Sequence, residues 1–512
     1  MQFNEQQEAL FTWAANETGS CNLIARAGTG KTTTIIELAN RIQGRAFLGA
    51  FNKAIAEELK TRIKRPNVTA GTMHSLGFQL WRGICKGRSE IDSRKVRGIV
   101  RRLQLYPMDK NVADLLCGAV AYGKQSGLGL GLRGLDYTKE ETWTPLLDHH
   151  DVWDELPATI SPNRFVTDCI TVYDESILMC QEEDPLIDFD DMILAPLMFS
   201  ESKPNMYDWV MIDEAQDTNE VRRRLAMWVL RPNGRMVAVG DPRQAIYGFA
   251  GANHDSMDLI KRDMNAIELP LSITYRCPKQ IVALAQTLVP DIQAHESSPE
   301  GTITAMSSPE FFRQIFSTDD VILCRNTRPL VGVAKRLRKM GIPCVVEGAN
   351  GKALIGLASK WGENITIGEM ETRLGAYSQE QYDKWSAKHR MDKAEGAIER
   401  KEILMDIASE MSADDLVSDL ITHIEKMFGD RDNDDRQILR LCTVHRSKGR
   451  EWRRVFLLGR NLYMPSKWAE KEWELGQEDN LVYVAWTRVK GELVEVTCKA
   501  KKNSEDPDWW EL

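Results

Sequence analysis

The 512-residue chain is 43% hydrophobic and 28% charged, with a net charge of −9, which excludes a disordered polymer and a surface that is basic all over. Its first residues, MQFNEQQEAL, lack the charged start and apolar core of a secretory signal, and no run of about 18 apolar residues occurs. A soluble, cytoplasmic protein with no membrane partner is therefore expected. Ten cysteines are scattered singly, without a CxxC pair or histidines at zinc spacing, so reduced structural thiols are expected rather than a metal cluster or a disulfide framework.

Short apolar, β-branched runs recur along both halves of the chain. Leu23–Ala25, Ala46–Leu48, Val68–Ala70, Val210–Ile212 and Met236–Val239 form one set, and Val321–Cys324, Val455–Leu458, Leu481–Val484 and Leu493–Val496 a second. Ended by Gly, Thr or Asp and separated by helix-length sequence, they predict buried parallel strands of two doubly wound α/β domains. The rhythm twice gives way to charged, helix-favouring sequence, as in Gln379–Met411, which has no proline. The predicted organisation is a first domain at 1–80 and 189–265 with a helical insertion at 81–188, and a second at 266–347 and 436–512 with a helical insertion at 348–435. The glycine-dense stretch Gly123–Gly134 is expected to be a loop. Basic clusters at Arg94–Arg102, Arg222–Arg224, Lys335–Lys339 and His445–Arg454 are either local tracks for phosphate or solvated helix faces.

LIARAGTGKTTT places a strand, a glycine turn and a helix start in succession. This is the construction of a phosphate-binding P-loop, in which backbone N–H groups of Ala27, Gly28, Thr29 and Gly30 curl around phosphate oxygens. Lys31 adds a point charge, Thr32 a hydroxyl ligand for Mg²⁺, and Thr33 continues the helix start. A chance match to [AG]xxxxGK[ST] arises about 0.04 times in a chain this long at average residue usage, so the motif carries weight. Ala25 stands where the first glycine is usual. After the strand VMI comes DEAQD, and carboxylates at a strand's C-terminal end face the ligand crevice of such sheets. Asp213 then suits the Mg²⁺ shell and Glu214 the orientation and deprotonation of water. An acidic helix N-terminus is the alternative for DEAQD alone.

With these motifs the sequence resembles the UvrD/Rep-type superfamily 1 DNA helicases, with likeness to phage-encoded members and the F-box DNA helicases. The resemblance implies two RecA-like P-loop domains, each with a parallel sheet interrupted by a mainly helical insertion. FNEQQEAL is similar to the family's Q motif and implies that Gln6, or Gln7 beside it, recognises adenine. FNKAIAEEL and TMHSLG resemble motifs that line the DNA track, which implies DNA contacts for Phe51, Asn52, Thr72 and His74; the aromatic of the first often sits one place earlier than Phe51. VGDPRQAIYGFAGA implies that Gln244 senses the γ-phosphate and that Tyr247 and Phe249 stack on bases, with core packing the alternative for the two rings. Ala250 replaces a basic residue common there.

LSITYRCP implies that Tyr275 stacks on adenine and Arg276 reaches the γ-phosphate. LCTVHRSKGREWRRVFL implies DNA contacts for Thr443 and His445 and a nucleotide contact for Glu451; Ser447 and Arg450 stand where Ala and Leu are usual. EDNLVYVAWTRVKGEL implies that Arg488 is an arginine finger. Lys31, Asp213, Glu214 and Gln244 belong to the first predicted domain, Arg276 and Arg488 to the second, so one ATP with Mg²⁺ would link the two and its hydrolysis would release them. The expectation is an ATP-dependent helicase moving 3′ to 5′ on single-stranded DNA and acting at single-strand/duplex junctions in replication, recombination or repair. It is expected as a monomer or weak oligomer, with a replication or single-strand-binding protein as partner. A translocase that strips bound proteins, and a nucleotide-gated DNA-binding scaffold, are the alternatives.

Overall fold

The computed structural model describes residues 3–85, 87–131, 136–150, 152–157, 159–246, 255–347, 350–386, 391–428, 438–467, 469 and 471–499. Two compact units divide the chain, Met1–Ser272 and Ile273–Leu512. The first contains a parallel sheet of β1 (Cys21–Ala25), β2 (Ala46–Ala50), β3 (Val68–Thr72), β4 (Tyr207–Ile212), β5 (Leu230–Gly240) and β6 (Ile267–Leu271). Their order is β3-β2-β4-β5-β1-β6. β6 pairs with β1 from Cys21↔Ile267 to Ala25↔Leu271, and so carries the first unit a few residues past the boundary expected at 265. Its sequence, IELPL, hid it: Pro270 has no N–H to give, which an edge strand tolerates.

Both faces of this sheet are buried, and the side-chain alternation of the strands decides what each face meets. Val237 and Val239 pack with Leu10, Leu23 and Ile35, under the helices Glu5–Asn16 and Lys31–Arg41. Met236 and Ala238 turn the other way, into a core shared with Leu116, Trp143, Phe165 and Tyr173 of the helical insertion. The insertion is therefore fused to the sheet by one continuous apolar cluster.

Its glycine-dense segment begins as a helix rather than a loop. Lys110–Gln125 is helical through Gly123, where a Cβ would stand 2.7 Å from the Trp143 ring; the close approach of the indole accounts for glycine there. Next to it, Lys124 is fully buried, 2.6 Å from Asp188 and 2.7 Å from Asp191, while Lys95 holds the other Asp191 oxygen at 2.7 Å. Buried charges survive when paired and hydrogen-bonded, and here they clamp the turn Asp188–Asp191 between two helices.

The second unit has a parallel sheet of β7 (Thr302–Ser307), β8 (Asp320–Cys324), β9 (Cys344–Glu347), β10 (Leu439–Thr443), β11 (Trp452–Leu458) and β12 (Val489–Thr497). Their order is β7-β12-β11-β8-β10-β9. The chain leaves β9 for the helices Asn350–Ala358, Ile367–Ser386, Met391–Ala408 and Val417–Met427 before returning on β10. The run Leu481–Val484, expected as a strand, lies inside the helix Glu472–Trp486. A four-residue apolar run has no period of its own; here the Lys471 N–H donates to the Glu474 carboxylate at 3.0 Å and caps a helix upstream that carries the run along.

In the first unit, the helix Met73–Ile84 crosses the helix Asp191–Phe199 so closely that a Cβ on Gly77 would lie 2.2 Å from the Met192 carbonyl oxygen. Gly77→Ala is expected to destabilise the protein by about 1–3 kcal/mol, read as a lower thermal unfolding temperature. An unchanged temperature would show that the two helices can part without cost.

Candidate nucleotide and DNA sites

The phosphate loop hangs between β1 and the helix Lys31–Arg41. Ala25 ends β1 in extended backbone, so the missing first glycine costs nothing, and the Arg26 N–H continues the pairing by donating to the Leu271 carbonyl at 2.8 Å. Gly28 and Gly30 have φ of +73° and +82°, the left-handed region that glycine enters freely. Gly30 is the N-cap residue, and the first N–H groups of the helix, at Lys31, Thr32 and Thr33, have no partner within the helix itself.

β4 delivers the acids. Asp213 continues the β2–β4 pairing through its N–H to the Gly49 carbonyl at 3.0 Å. Glu214 follows at φ +53° and ψ 44°, a backbone conformation that costs a non-glycine residue on the order of 1–3 kcal/mol. That conformation turns its carboxylate onto Lys31, whose Nζ lies 3.4 Å from Oε1 and 3.5 Å from Oε2. Burial pushes the Asp213 carboxyl up to about 7, and the neighbouring Glu214 adds to the effect against the pull of Lys31. The Asp213 carboxyl and the Thr32 hydroxyl, two residues past Gly30, are oxygen donors of the kind Mg²⁺ takes.

A ring of contacts joins these pieces. The Gln216 amide donates to Glu214 Oε2 and accepts from the Asp241 N–H at 3.1 Å. A Cβ on Gly240 would stand 2.4 Å from Gln216 Oε1, so glycine is required where β5 ends. The Asp241 side chain is fully buried. One oxygen pairs with Arg26 Nη1 at 3.0 Å, and the other accepts from the Gln244 amide at 2.8 Å. Starting in the phosphate loop at Lys31, the ring passes Glu214, Gln216 and Asp241 and returns to the same loop at Arg26. Arg26 and Asp241 were not among the residues expected at the site. The signal available was an arginine inside a P-loop, which needs a carboxylate nearby.

Of the other nucleotide residues, Gln6 donates to the Ser272 hydroxyl and accepts from the Ser272 N–H, both at 2.8 Å. Gln7 is buried, completing a capping box with Asn4 and donating to Thr34 at 2.7 Å. In the second unit, Tyr275 is 46% exposed against His295, and Arg276 pairs with Glu451, which also holds Lys490 at 2.5 Å. Arg488 is 1% exposed. It donates to the carbonyls of Val484 at 2.9 Å and Arg450 at 3.2 Å and to the Thr487 hydroxyl at 3.0 Å.

The residues of the first unit expected to line a DNA track lie at the C-terminal ends of neighbouring strands. Phe51, 47% exposed, follows β2; Asn52 caps the helix Lys53–Arg62 and Thr72 the helix Met73–Ile84. His74 meets the ring edge of Phe189 at 6.4 Å. Phe189, 55% exposed, was missed by sequence reasoning, although an aromatic flanked by acids in IDFDD was there to be read; the buried Asp188–Asp191 clamp leaves its ring outside. In the second unit Thr443 ends β10 and His445 lies in the short helix that follows it. Tyr247 and Phe249, with Ala250, lie outside the described residues. Much of the basic charge is spent internally: Arg223 pairs with Glu220 and Asp263, Arg224 with Glu220, and Lys335 donates to the Asp406 carbonyl.

The UvrD/REP helicase N-terminal domain family model matches residues 138–265, and the UvrD-like helicase C-terminal domain model matches residues 368–500. The chain belongs to the UvrD/Rep-type helicases of superfamily 1. Among its relatives, F-box DNA helicase protein 1 of Schizosaccharomyces pombe is 25% identical over 504 residues, covering 92% of this chain and 54% of that protein. A probable DNA helicase II homolog of Mycoplasma capricolum is 26% identical over 308 residues, covering 56% of this chain and 40% of that one. The ATP-dependent DNA helicase Rep of Escherichia coli is 24% identical over 302 residues, covering 53% and 41%. The matched stretches thus span about half of these relatives or less.

Two measurements probe the site. Arg26→Met would take a cation from the buried Asp241 carboxylate, at an expected cost of about 3–5 kcal/mol, read as a lower urea midpoint that Arg26→Lys restores in part. Parental stability in Arg26→Met would remove Arg26 from the ring. Separately, burial and then Arg222 push His74 down to about 4, and burial and then Arg325 push His445 down to about 3. Both rings are therefore neutral at pH 7. Because the unfolded chain protonates them near 6.5, stability present above that pH is lost as pH falls toward 4 and below. Unfolding temperatures should decline between pH 6.5 and pH 4, and less steeply in His74→Asn/His445→Asn; an equal slope in that variant would assign the decline elsewhere.

Proposed function

We propose that the chain is an ATP-driven DNA helicase that moves 3′ to 5′ along single-stranded DNA and opens the duplex ahead of it. The observation carrying this reading is the ring from Lys31 through Glu214, Gln216 and Asp241 to Arg26, with Gln244 hung from Asp241. It supports reading Lys31 as the phosphate cation, Glu214 as the catalytic base and Gln244 as the γ-phosphate sensor, since the three share one hydrogen-bonded set.

The loop N–H groups at Gly28–Thr32 bind phosphate oxygens, and Lys31 exchanges the Glu214 carboxylate for the β- and γ-phosphates. Glu214, relieved of its cation, orients the attacking water and accepts its proton. Thr32 and Asp213 would hold Mg²⁺, which when bound would supply positive charge to the phosphates. Arg276 and Arg488 of the second unit stabilise the charge of the transferred group, Tyr275 stacks on adenine and Gln6 reads its edge. Phe51, Phe189, His74, His445 and Thr443 face the strand, so presence or loss of the γ-phosphate, sensed by Gln244, changes how each unit grips it.

Strand displacement on duplexes with a 3′ or a 5′ single-stranded tail, with and without ATP, tests motor, opening and direction together. ATP-dependent displacement from the 3′ tail alone is expected. DNA-stimulated hydrolysis without displacement would favour a translocase that strips bound proteins, and displacement from the 5′ tail alone would reverse the polarity. In the same assay Arg488→Ala should bind nucleotide yet lose about 10³–10⁵ in kcat; near-parental turnover would remove Arg488 from the site.

A further inference from the structure

Arg450 stands where the family usually has leucine, and its side chain does something a leucine cannot. Both of its terminal nitrogens reach Glu347, Nη1 to Oε2 in an ion pair and Nη2 to Oε1 at 3.2 Å, and its guanidinium lies 5.0 Å from the Trp452 ring centre. Glu347 is buried and also pairs with Arg440. Burial opposes its ionisation, but the hydrogen bonds from Arg450 and Arg440 hold the carboxyl below the usual range.

The position of this triad in the chain gives it meaning. Glu347 is the last residue of β9, where the chain departs for the helical insertion, and Arg440 is the second residue of β10, where it returns. Arg450 belongs to the turn that follows Gly449, φ +84°, and leads into β11. That turn holds both Arg488 and Arg276. The Arg450 carbonyl accepts from Arg488 Nη1 at 3.2 Å, the Trp452 N–H donates to the Arg488 carbonyl at 2.9 Å, and Glu451 between them pairs with Arg276. One arginine suffices to neutralise a buried carboxylate, and Arg440 already does so. The second adds geometry, since a guanidinium fork fixes direction as well as charge.

We propose that Arg450 is a positioning residue: by gripping Glu347 at the root of the insertion, it fixes the turn that orients Arg488 and Arg276. Any shift at the insertion root then reaches both arginines through one side chain. The proposal rests on the reading of those arginines as nucleotide-contacting groups.

The test compares Arg450→Leu, Arg450→Lys, Glu347→Gln and the double variant Arg450→Leu/Glu347→Gln in the full chain. Three quantities are measured: kcat and KM of DNA-stimulated phosphate release, equilibrium binding of a fluorescent ATP analogue, and unfolding temperature. Misplaced catalytic groups cost turnover more than binding, so R450L should lose about 10- to 100-fold in kcat, with KM and binding within about twofold. The double variant should be no worse than the poorer single one, because both break the same link. R450L with kcat within about twofold of the parent, or losses that multiply in the double variant, would overturn the proposal. Where R450L lowers the unfolding temperature, R450K decides, since it keeps the charge and loses the fork: reduced kcat in folded R450K upholds the proposal and full kcat overturns it. Arg488→Ala separates the two levels. If it hydrolyses normally, the reading of the arginines fails; if it is inactive while R450L is normal, only the role of Arg450 fails.

Discussion

A carboxylate with no access to water must be held by cations and donors on every side, and Asp241 is such a group. Its carboxylate is held by Arg26 of the phosphate loop and by Gln244 of its own turn, while its backbone N–H donates to the Gln216 amide oxygen in the turn after β4. Closed into a ring, these contacts make the relative placement of β1, β4 and β5 a condition of satisfying one buried charge, and the nucleotide chemistry inherits that placement. The parallel order β4-β5-β1 puts the three strand ends side by side, as ligand sites in open α/β sheets require.

The cations proposed to meet a triphosphate are each engaged by glutamate or by carbonyl oxygen. Lys31 faces Glu214, Arg276 faces Glu451, and Arg488 lies among the carbonyls of Val484 and Arg450. On the proposed reading phosphate competes for them, and Glu214 is released as a base when its lysine moves. The strained backbone of Glu214 and the unfavourable burial of Asp213 are held in place by the surrounding sheet rather than by the local chain, as is usual where function sets the geometry.

The parts legible in sequence were those with a local cause. The P-loop glycines announce positive φ, DEAQD follows an apolar run, and β-branched runs mark the central strands. The edges were less readable. β6 contains a proline and β7 is largely exposed, so neither presents an apolar pattern. Leu481–Val484 read as a strand because four residues cannot display a helical period, and Gly123 read as a loop because the indole that requires it lies twenty residues away. Nor was the partnership of Arg26 with Asp241, or of Arg450 with Glu347, open to periodicity. Each joins segments far apart in the chain, and only the strand order brings them together.

The enlarged connection between β9 and β10 is, topologically, an ordinary crossover between adjacent parallel strands. Such a crossover needs only about a dozen residues, commonly one helix, to carry the chain back to the start of the next strand. Everything beyond that minimum is free to grow or shrink without altering the sheet, which makes the segment an exchangeable module in which lineages can acquire different attachments. The restriction is hydrophobic. Leu374, Leu404 and Ile407 share a core with Leu330 and Leu337 of the helix Thr327–Lys339, so a replacement module must bring its own apolar face to cover that helix.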